Sequence, residues 1–350
     1  MFVIRPIRSA DLSGLMNLLQ NSGHGLTSLP KDEKIIANKI LHSERSFEHR
    51  QDGPKGESYL FVMEEIFTGK LVGVSGIISK IGGFDPYYFY RLKTQKMYSK
   101  MLDVEKEIKT LHMEKIHSGP GEICSLFLEP KYRNSQNGRF LSLSRFLFMA
   151  ENRKFFEDIV IAEMRGRVND KGHSPFWDAV GKKFMDIDFP KADYLSMKSK
   201  SFIEELLPNY PLIIDLLPEE AQGVVAKVHE NTEPAKHILE QEGFRFNGLV
   251  GIFEPGPVLE AELNNIRAYK ESQVVEIEMI STEDFESEIF ILSTTGQSID
   301  FKACLGKISL NKNNKATIQA VTATALKLRL GDQIRFVTLK AQSAQSNLEV

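Results

Sequence analysis

Two cysteines in 350 residues, Cys124 and Cys304, are too few for a disulfide framework, and with no CxxC step neither reads as a zinc ligand. Both stand among apolar neighbours, as buried reduced thiols do. Neither sign of charge is in excess: 44 Lys+Arg face 47 Asp+Glu, so no global field draws nucleic acid or anionic lipid, and any anion must be caught locally. A basic stripe with interleaved aromatics, the mark of a nucleic-acid surface, is missing. No run reaches the roughly 18 apolar residues that span a bilayer, and "MFVIRPIRSADL" lacks the blocks of a secretory signal. A cytoplasmic protein without membrane or nucleic-acid partners is expected. The chain also has no GK[ST] for a P-loop and no GxGxxG for a dinucleotide fold.

What is there is an ordinary globular composition, 42% hydrophobic, over a length that suits roughly two to three domains. "FVIRPIR" alternates as a strand does, and "SADLSGLMNLL" has helical spacing. "SYLFVMEEIFTGKLVGVSGIIS" reads as a hairpin turning at Thr68-Gly69-Lys70. Residues 83–118 are polar and mixed in charge, with a helix expected at "MLDVEKEIKTLHM". "GEICSLFLEP" is a strand, followed by a polar elbow and a helix on which Phe140, Leu143 and Leu147 recur. "DIVIAEMRG" is another strand, and "SPFWDAVGKKF" a helix capped by Ser174 with Pro175 in its first turn.

A weak echo follows about 60 residues on, where strand-like "QGVVAKVHE" precedes "TEPAKHILEQEGF". From residue 271 short β-like runs take over, "QVVEIEMI", "IFILSTT", "KATIQAV" and "QIRFVTLK", and the last ten residues read as frayed. The expected class is α/β (α+β): one unit over 1–200, a related one over 201–270, and a small β-rich domain over 271–350.

The elbow, "EPKYRNSQNG", carries the chemistry. A strand that passes through a loop into a helix leaves backbone N–H groups unpaired at the positive end of the helix dipole. Arg133 and an Asn137-Gly138 step able to take φ > 0 would complete a diphosphate cradle. The same residues also suit a plain turn with a solvated cation.

The elbow resembles the coenzyme A signature R/Q-x-x-G-x-G/A of the acyl-CoA N-acyltransferase (GNAT) superfamily, with Arg133 and Gly138 at its ends and Gln136 where the first glycine belongs. Gln136 must either sit at φ > 0 or send the loop along another path. Within that superfamily the chain is similar to the arginine N-succinyltransferase family over nearly its whole length, through "GLTSLP", "LFLEPKYR", "AEMRG", "SPFWDAVGKKF", "DFPKADYL", "AQGVVAKVH", "EGFRF" and "GDQIRFVTL".

The resemblance implies two N-acyltransferase-like units, and transfer of a succinyl group from succinyl-CoA to the α-amine of L-arginine. It implies a direct transfer without metal, coenzyme A held by Leu126, Arg133, Asn137 and Gly138, and His229 as proton donor to the leaving thiolate. Glu163 and Arg165 have the chemistry to meet a guanidinium and a carboxylate, or to pair with each other. A homo-oligomer is an open expectation. Two alternatives stand beside this reading: acylation of ornithine or another amine, and a silent subunit that binds coenzyme A.

Overall fold

The computed structural model describes residues 1–22, 26, 28–48, 53–133, 136–169 and 173–340. Strand β1 (Phe2–Pro6) leads into helices α1 (Leu12–Gln20) and α2 (Glu33–Glu48). Two hairpins follow, β2 (Ser58–Glu65) with β3 (Lys70–Ile78), and β4 (Tyr87–Ser99) with β5 (Val104–Ile116). β6 (Gly121–Leu128) enters the elbow and α3 (Asn137–Glu151), and β7 (Ile159–Glu163) returns. Next come α4 (Pro175–Ala179), α5 (Gly181–Met185), α6 (Phe189–Ser196), α7 (Ser201–Leu206), β8 (Leu212–Ile213), α8 (Glu219–Val224) and α9 (Glu233–Gln241). The chain closes with β9 (Arg245–Gly251), β10 (Pro257–Glu262), α10 (Arg267–Lys270), β11 (Gln273–Ser281), β12 (Ile289–Thr294), β13 (Ala303–Leu310), β14 (Ala316–Gln319), α11 (Ala320–Leu326) and β15 (Gln333–Thr338).

The mixed α/β class is as expected. The main sheet runs β1-β2-β3-β6-β7-β10-β9-β4-β5-β8. Alternation along β2 sends Phe61 and Met63 to the α3 side, and Leu60 and Val62 to the side of α1 and α2. α3 is buried nearly all round, which is why its sequence has no clean polar face.

The division at residue 200 does not divide this sheet. β10 pairs with β7, and β9 pairs with β4, so the stretch 201–270 completes the sheet begun by 1–200 instead of building its own. "QGVVAKVHE" is no strand either: it holds the end of α8, and only Val228 makes a bridge, to Gly166.

The helix expected at "MLDVEKEIKTLHM" is also replaced, by β5. Thirteen residues of β5 pair in continuous register with β4, from Tyr87↔Ile116 to Ser99↔Val104, and this pairing outweighs the helix preference of its Glu and Lys.

Over the C-terminal stretch the β-rich expectation holds for the described residues. β12, β15, β11, β14 and β13 pair in that order and β13 returns to β12, closing a ring around its own apolar core. Its seam to the main sheet is short: β13 meets β1 at Val3↔Cys304 and Ile4↔Ala303. The expected frayed end, 341–350, lies outside the described residues.

Candidate active site

Among the described residues, β6 and β7 form the one parallel pair within the main sheet, and they pair only at Gly121↔Val160 and Glu122↔Ile161. Beyond those residues the strands part, and a cavity of about 340 Å³ opens between them. Its walls come from both faces of the sheet. Ala162, Met164 and Leu239 belong to the core under α3, whereas Glu122, Cys124 and Glu163 alternate to the opposite face. A molecule lying in the gap can therefore present one end on each side of the sheet.

The edge of the gap is shaped by a bulge. Pairing with β3 passes from Gly76↔Cys124 to Val74↔Phe127, so Ser125 and Leu126 both stand opposite Ser75. Ser125 sits in the left-handed region at φ 55, a conformation that costs about 1 kcal/mol and turns backbone amides out of the ladder. Ser28 Oγ lies 2.9 Å from Ser125 Oγ, and buried Arg145 reaches from α3 to the Cys124 carbonyl at 3.4 Å. Leu126 is half-buried and lines the cavity. Of the "GLTSLP" segment, Leu26 and Ser28 also line it, while Gly25 and Thr27 lie outside the described residues.

The elbow is built from the same strand. The first bond of α3 runs from Phe140 N–H to the Gln136 carbonyl, so the N–H groups of Asn137, Gly138 and Arg139 have no partner inside the helix. A Cβ added at Gly138 would meet nothing within 4 Å, so the backbone there is open to a ligand. Asn137 and Gly138 take no φ > 0; they form the first turn of α3, and Gln136 sits unstrained at φ −111. The Asn137 side chain donates to the Tyr132 carbonyl at 3.1 Å. Arg133 donates Nε–H to the Leu128 carbonyl at 2.9 Å and lies over the Phe127 ring, which leaves its two Nη groups without hydrogen bonds among the described residues. Asn134 and Ser135 fall outside those residues.

On the face away from α3 the cavity is crowded with charge. Glu122, Glu163, Asp193 and Glu254 line it, together with Arg165 and Lys200. Burial, reinforced by the Glu163 charge and opposed by Lys200 and Lys39, pushes the Glu122 carboxyl up to about 8. Burial raises Glu163 as well. Glu254 rises to about 8 and Asp193 to about 7, both through burial first, with Arg165 pulling the other way. Lys200 and Lys39 are lowered by burial.

Glu163 and Arg165 do not pair with each other: Glu163 accepts from the Tyr87 hydroxyl at 3.1 Å, while Arg165 faces the charges of Glu254 and Asp193. Glu254 Oε2 is buried without a hydrogen-bond partner. Among the described residues none of these acids forms an ion pair with Lys39, Arg165 or Lys200. Opposite charges so placed, and not collapsed onto one another, suit a ligand that carries both signs.

Three glycines make this crowding possible. A Cβ at Gly251 would stand 2.8 Å from Glu163 Oε1, one at Gly166 would stand 2.8 Å from Gly256 N, and one at Gly256 would stand 2.0 Å from the Met164 carbonyl. The β9–β10 turn can thus lie against the end of β7 and bring Glu254 to Arg165.

His229 is half-buried and is tied to that same end of β7, its N–H donating to the Arg165 carbonyl at 2.9 Å. It does not line the cavity, but Asn231 and Thr232 do. Its Nδ1 accepts the Asn231 N–H at 3.1 Å, which assigns the proton of the neutral ring to Nε2. Among the residues named from sequence, then, Leu126, Glu163 and Arg165 line the cavity, His229 flanks it, and Arg133, Asn137 and Gly138 form the elbow beyond the bulge.

A family model described as "Arginine N-succinyltransferase beta subunit" matches residues 2–268. The chain belongs to the arginine N-succinyltransferase family. The arginine N-succinyltransferase of Yersinia pseudotuberculosis serotype O:3 (strain YPIII) is 40% identical over 347 residues, covering 97% of this chain and 99% of that protein. That of Salmonella schwarzengrund is 40% identical over 345 residues, covering 98% and 99%. A solved structure, the arginine/ornithine succinyltransferase subunit AI from Pseudomonas aeruginosa, superposes with a TM-score of 0.87 at 31% identity, covering 97% of this chain and 99% of that one. Members of the arginine N-succinyltransferase family are acyltransferases, and the acyl group comes from a coenzyme A thioester.

Sequence reasoning missed Glu122, Tyr87, Asp193, Lys200 and Glu254. One of them carried a signal: Glu122 is a charge inside an otherwise apolar strand, "GEICSLFL", where a buried carboxylate needs a reason. The others come from the polar, mixed-charge stretch 83–118, from the short helix α6, from the residue just before α7 and from a Pro-Gly turn, and only tertiary structure gathers them.

Proposed function

We propose that this chain transfers the succinyl group of succinyl-CoA to the α-amine of L-arginine, giving coenzyme A and N2-succinyl-L-arginine. The observation that carries this reading is the gap between β6 and β7, lined by unpaired buried charges of both signs and edged by the strand that leads through the bulge into the diphosphate-suited elbow. A donor with a diphosphate and a cationic amino acid bound for a dicarboxylic acyl group need those two environments.

In this reading the free N–H groups of α3, the Arg133 guanidinium and the open backbone at Gly138 take the diphosphate, with Asn137 holding the turn in place. The bulge at Leu126 offers main-chain amides to the pantetheine arm and to the thioester oxygen as it gains negative charge. Glu163 faces the guanidinium and Arg165 a carboxylate. An α-amine whose ordinary value is near 8 is partly neutral at pH 7, and a carboxylate raised towards neutrality, as on this face, can take its proton. His229 in its imidazolium form gives up a proton to the departing thiolate and is left as the neutral ring. The name of the Pseudomonas aeruginosa relative makes ornithine the second acceptor to try.

The test is release of free thiol by the purified protein. Turnover with succinyl-CoA and L-arginine, exceeding that with acetyl-CoA or with L-ornithine, supports the proposal. Preference for ornithine selects the second reading, and no thiol release with any pair leaves a silent subunit.

A further inference from the structure

We propose that Glu122 is the residue that selects the acceptor's cationic end, holding the guanidinium together with Glu163 beside the Tyr87 ring. This rests on the arginine reading above and assigns a specificity role to a residue outside the expected site.

Three observations carry it. First, Glu122 is only 5% exposed, and its charge is answered at a distance alone, by Lys200 at the start of α7 and Lys39 on α2. The trio on the far wall differs, because Arg165 there faces both Asp193 and Glu254. The negative charge still short of a partner is the Glu122–Glu163 pair. Second, the place is already furnished for a cation. Lys200 Nζ lies 3.5 Å from the centroid of the Tyr87 ring, and the Tyr87 hydroxyl donates to Glu163, so an aromatic face and two acids converge on one positive group. A guanidinium that takes the place of Lys200 there can stack on the ring and offer a planar fork to the carboxylates, which the point charge of an ornithine ammonium cannot.

Third, the reach is right. Glu122 stands three residues before the bulge at Ser125, roughly 10 Å of extended strand, so an amine at the bulge and a cation at Glu122 are separated by about one arginine side chain. The groups that face Glu122 are Glu163 from β7, Lys200 before α7, Lys39 from α2, Tyr87 from β4 and Cys124 from its own strand.

Glu122→Gln keeps the shape and removes the charge. Steady-state kinetics with L-arginine, L-ornithine, succinyl-CoA and the neutral isostere L-citrulline give the readout. KM for L-arginine should rise about 10- to 100-fold, the loss of one charge-assisted hydrogen bond, with kcat and the KM for succinyl-CoA little changed. The preference for arginine over citrulline should shrink by a similar factor, because an amide can meet a ureido group. In the wild type the KM for arginine should fall between pH 7 and 9 as Glu122 ionises, and the variant should show a flatter profile, which a purely structural role would not produce.

An unchanged arginine-to-citrulline ratio overturns the proposal, and so does a collapse of kcat at constant KM, which assigns Glu122 to the chemistry instead. If Glu122→Gln fails to fold, Glu122→Asp withdraws the carboxylate by one methylene and should raise the arginine KM while keeping the pH dependence; an unchanged KM refutes it. Wild-type turnover of L-ornithine without L-arginine refutes the acceptor reading itself, a result distinct from any of these.

Discussion

Replacing Gly256 with alanine tests whether the charged wall is held by main chain packed on main chain. The new Cβ would lie 2.0 Å from the Met164 carbonyl oxygen, 2.5 Å from Gly166 N and 2.9 Å from Arg165 C. None of these atoms can rotate aside, so the β9–β10 turn must lift from the end of β7 by about 1 Å or more before ordinary contact is restored. That movement breaks the bond from Met164 N–H to the Pro257 carbonyl (3.0 Å). One hydrogen bond at about 1 kcal/mol and an overpacking cost of about 1–3 kcal/mol give a destabilisation of about 2–4 kcal/mol.

For a chain of this length the unfolding entropy is roughly 0.7 kcal/mol per degree, so the melting temperature should fall by about 3–6 °C. The lifted turn also carries Glu254 away from Arg165, and the acceptor KM should rise about tenfold while the KM for succinyl-CoA, which depends on the elbow, holds. Differential scanning fluorimetry and thiol-release kinetics measure both. A melting temperature within about 1 °C of wild type, with an unchanged acceptor KM, would show that the wall does not depend on this contact.

Three further outcomes are expected. His229→Ala should lower kcat by about 10²–10⁴ with coenzyme A binding intact by calorimetry, and near-normal turnover would remove the residue from the proton path. Gly138→Ala meets no atom within 4 Å, so stability should hold or rise by a few tenths of a kcal/mol, yet the KM for succinyl-CoA should increase; an unchanged KM would place the diphosphate elsewhere. Glu254, ordinarily near 4.5, is raised to about 8 in the folded chain, so between those values the native state holds a proton that the unfolded state has lost. Its contribution to stability is therefore present at low pH and disappears as pH rises through that window, so the melting temperature of the unliganded protein should decline between pH 5 and 8 and Glu254→Gln should flatten that decline. Equal slopes for the two proteins would contradict the raised value.

What could be read from sequence was local. Ser174 caps α4 and accepts from Trp177 N–H at 3.2 Å, Pro175 occupies its first turn, and the hairpin turns at Gly69 with φ 67, all as their residue types demand. The elbow was legible because strand, cation and helix follow one another in the chain. β5 was not, since its Lys and Glu favour a helix and only thirteen cross-strand pairs to β4 decide otherwise. The charged wall was beyond reach for a similar reason: Glu122, Asp193, Lys200 and Glu254 are spread over more than a hundred positions, and what unites them is the close backbone approach that Gly166, Gly251 and Gly256 permit. A glycine in a sequence announces freedom, not the neighbour that fills it.

The seam between β1 and β13 joins residues about 300 positions apart. During synthesis β1 can find β2 early, but its other border stays bare until nearly the whole chain has emerged, and a bare strand border invites strangers. A ribosome that stalls before residue 303 would thus release a nascent chain with a sticky flank, and shortening the protein from its C-terminus should harm yield and solubility well before it touches the chemistry.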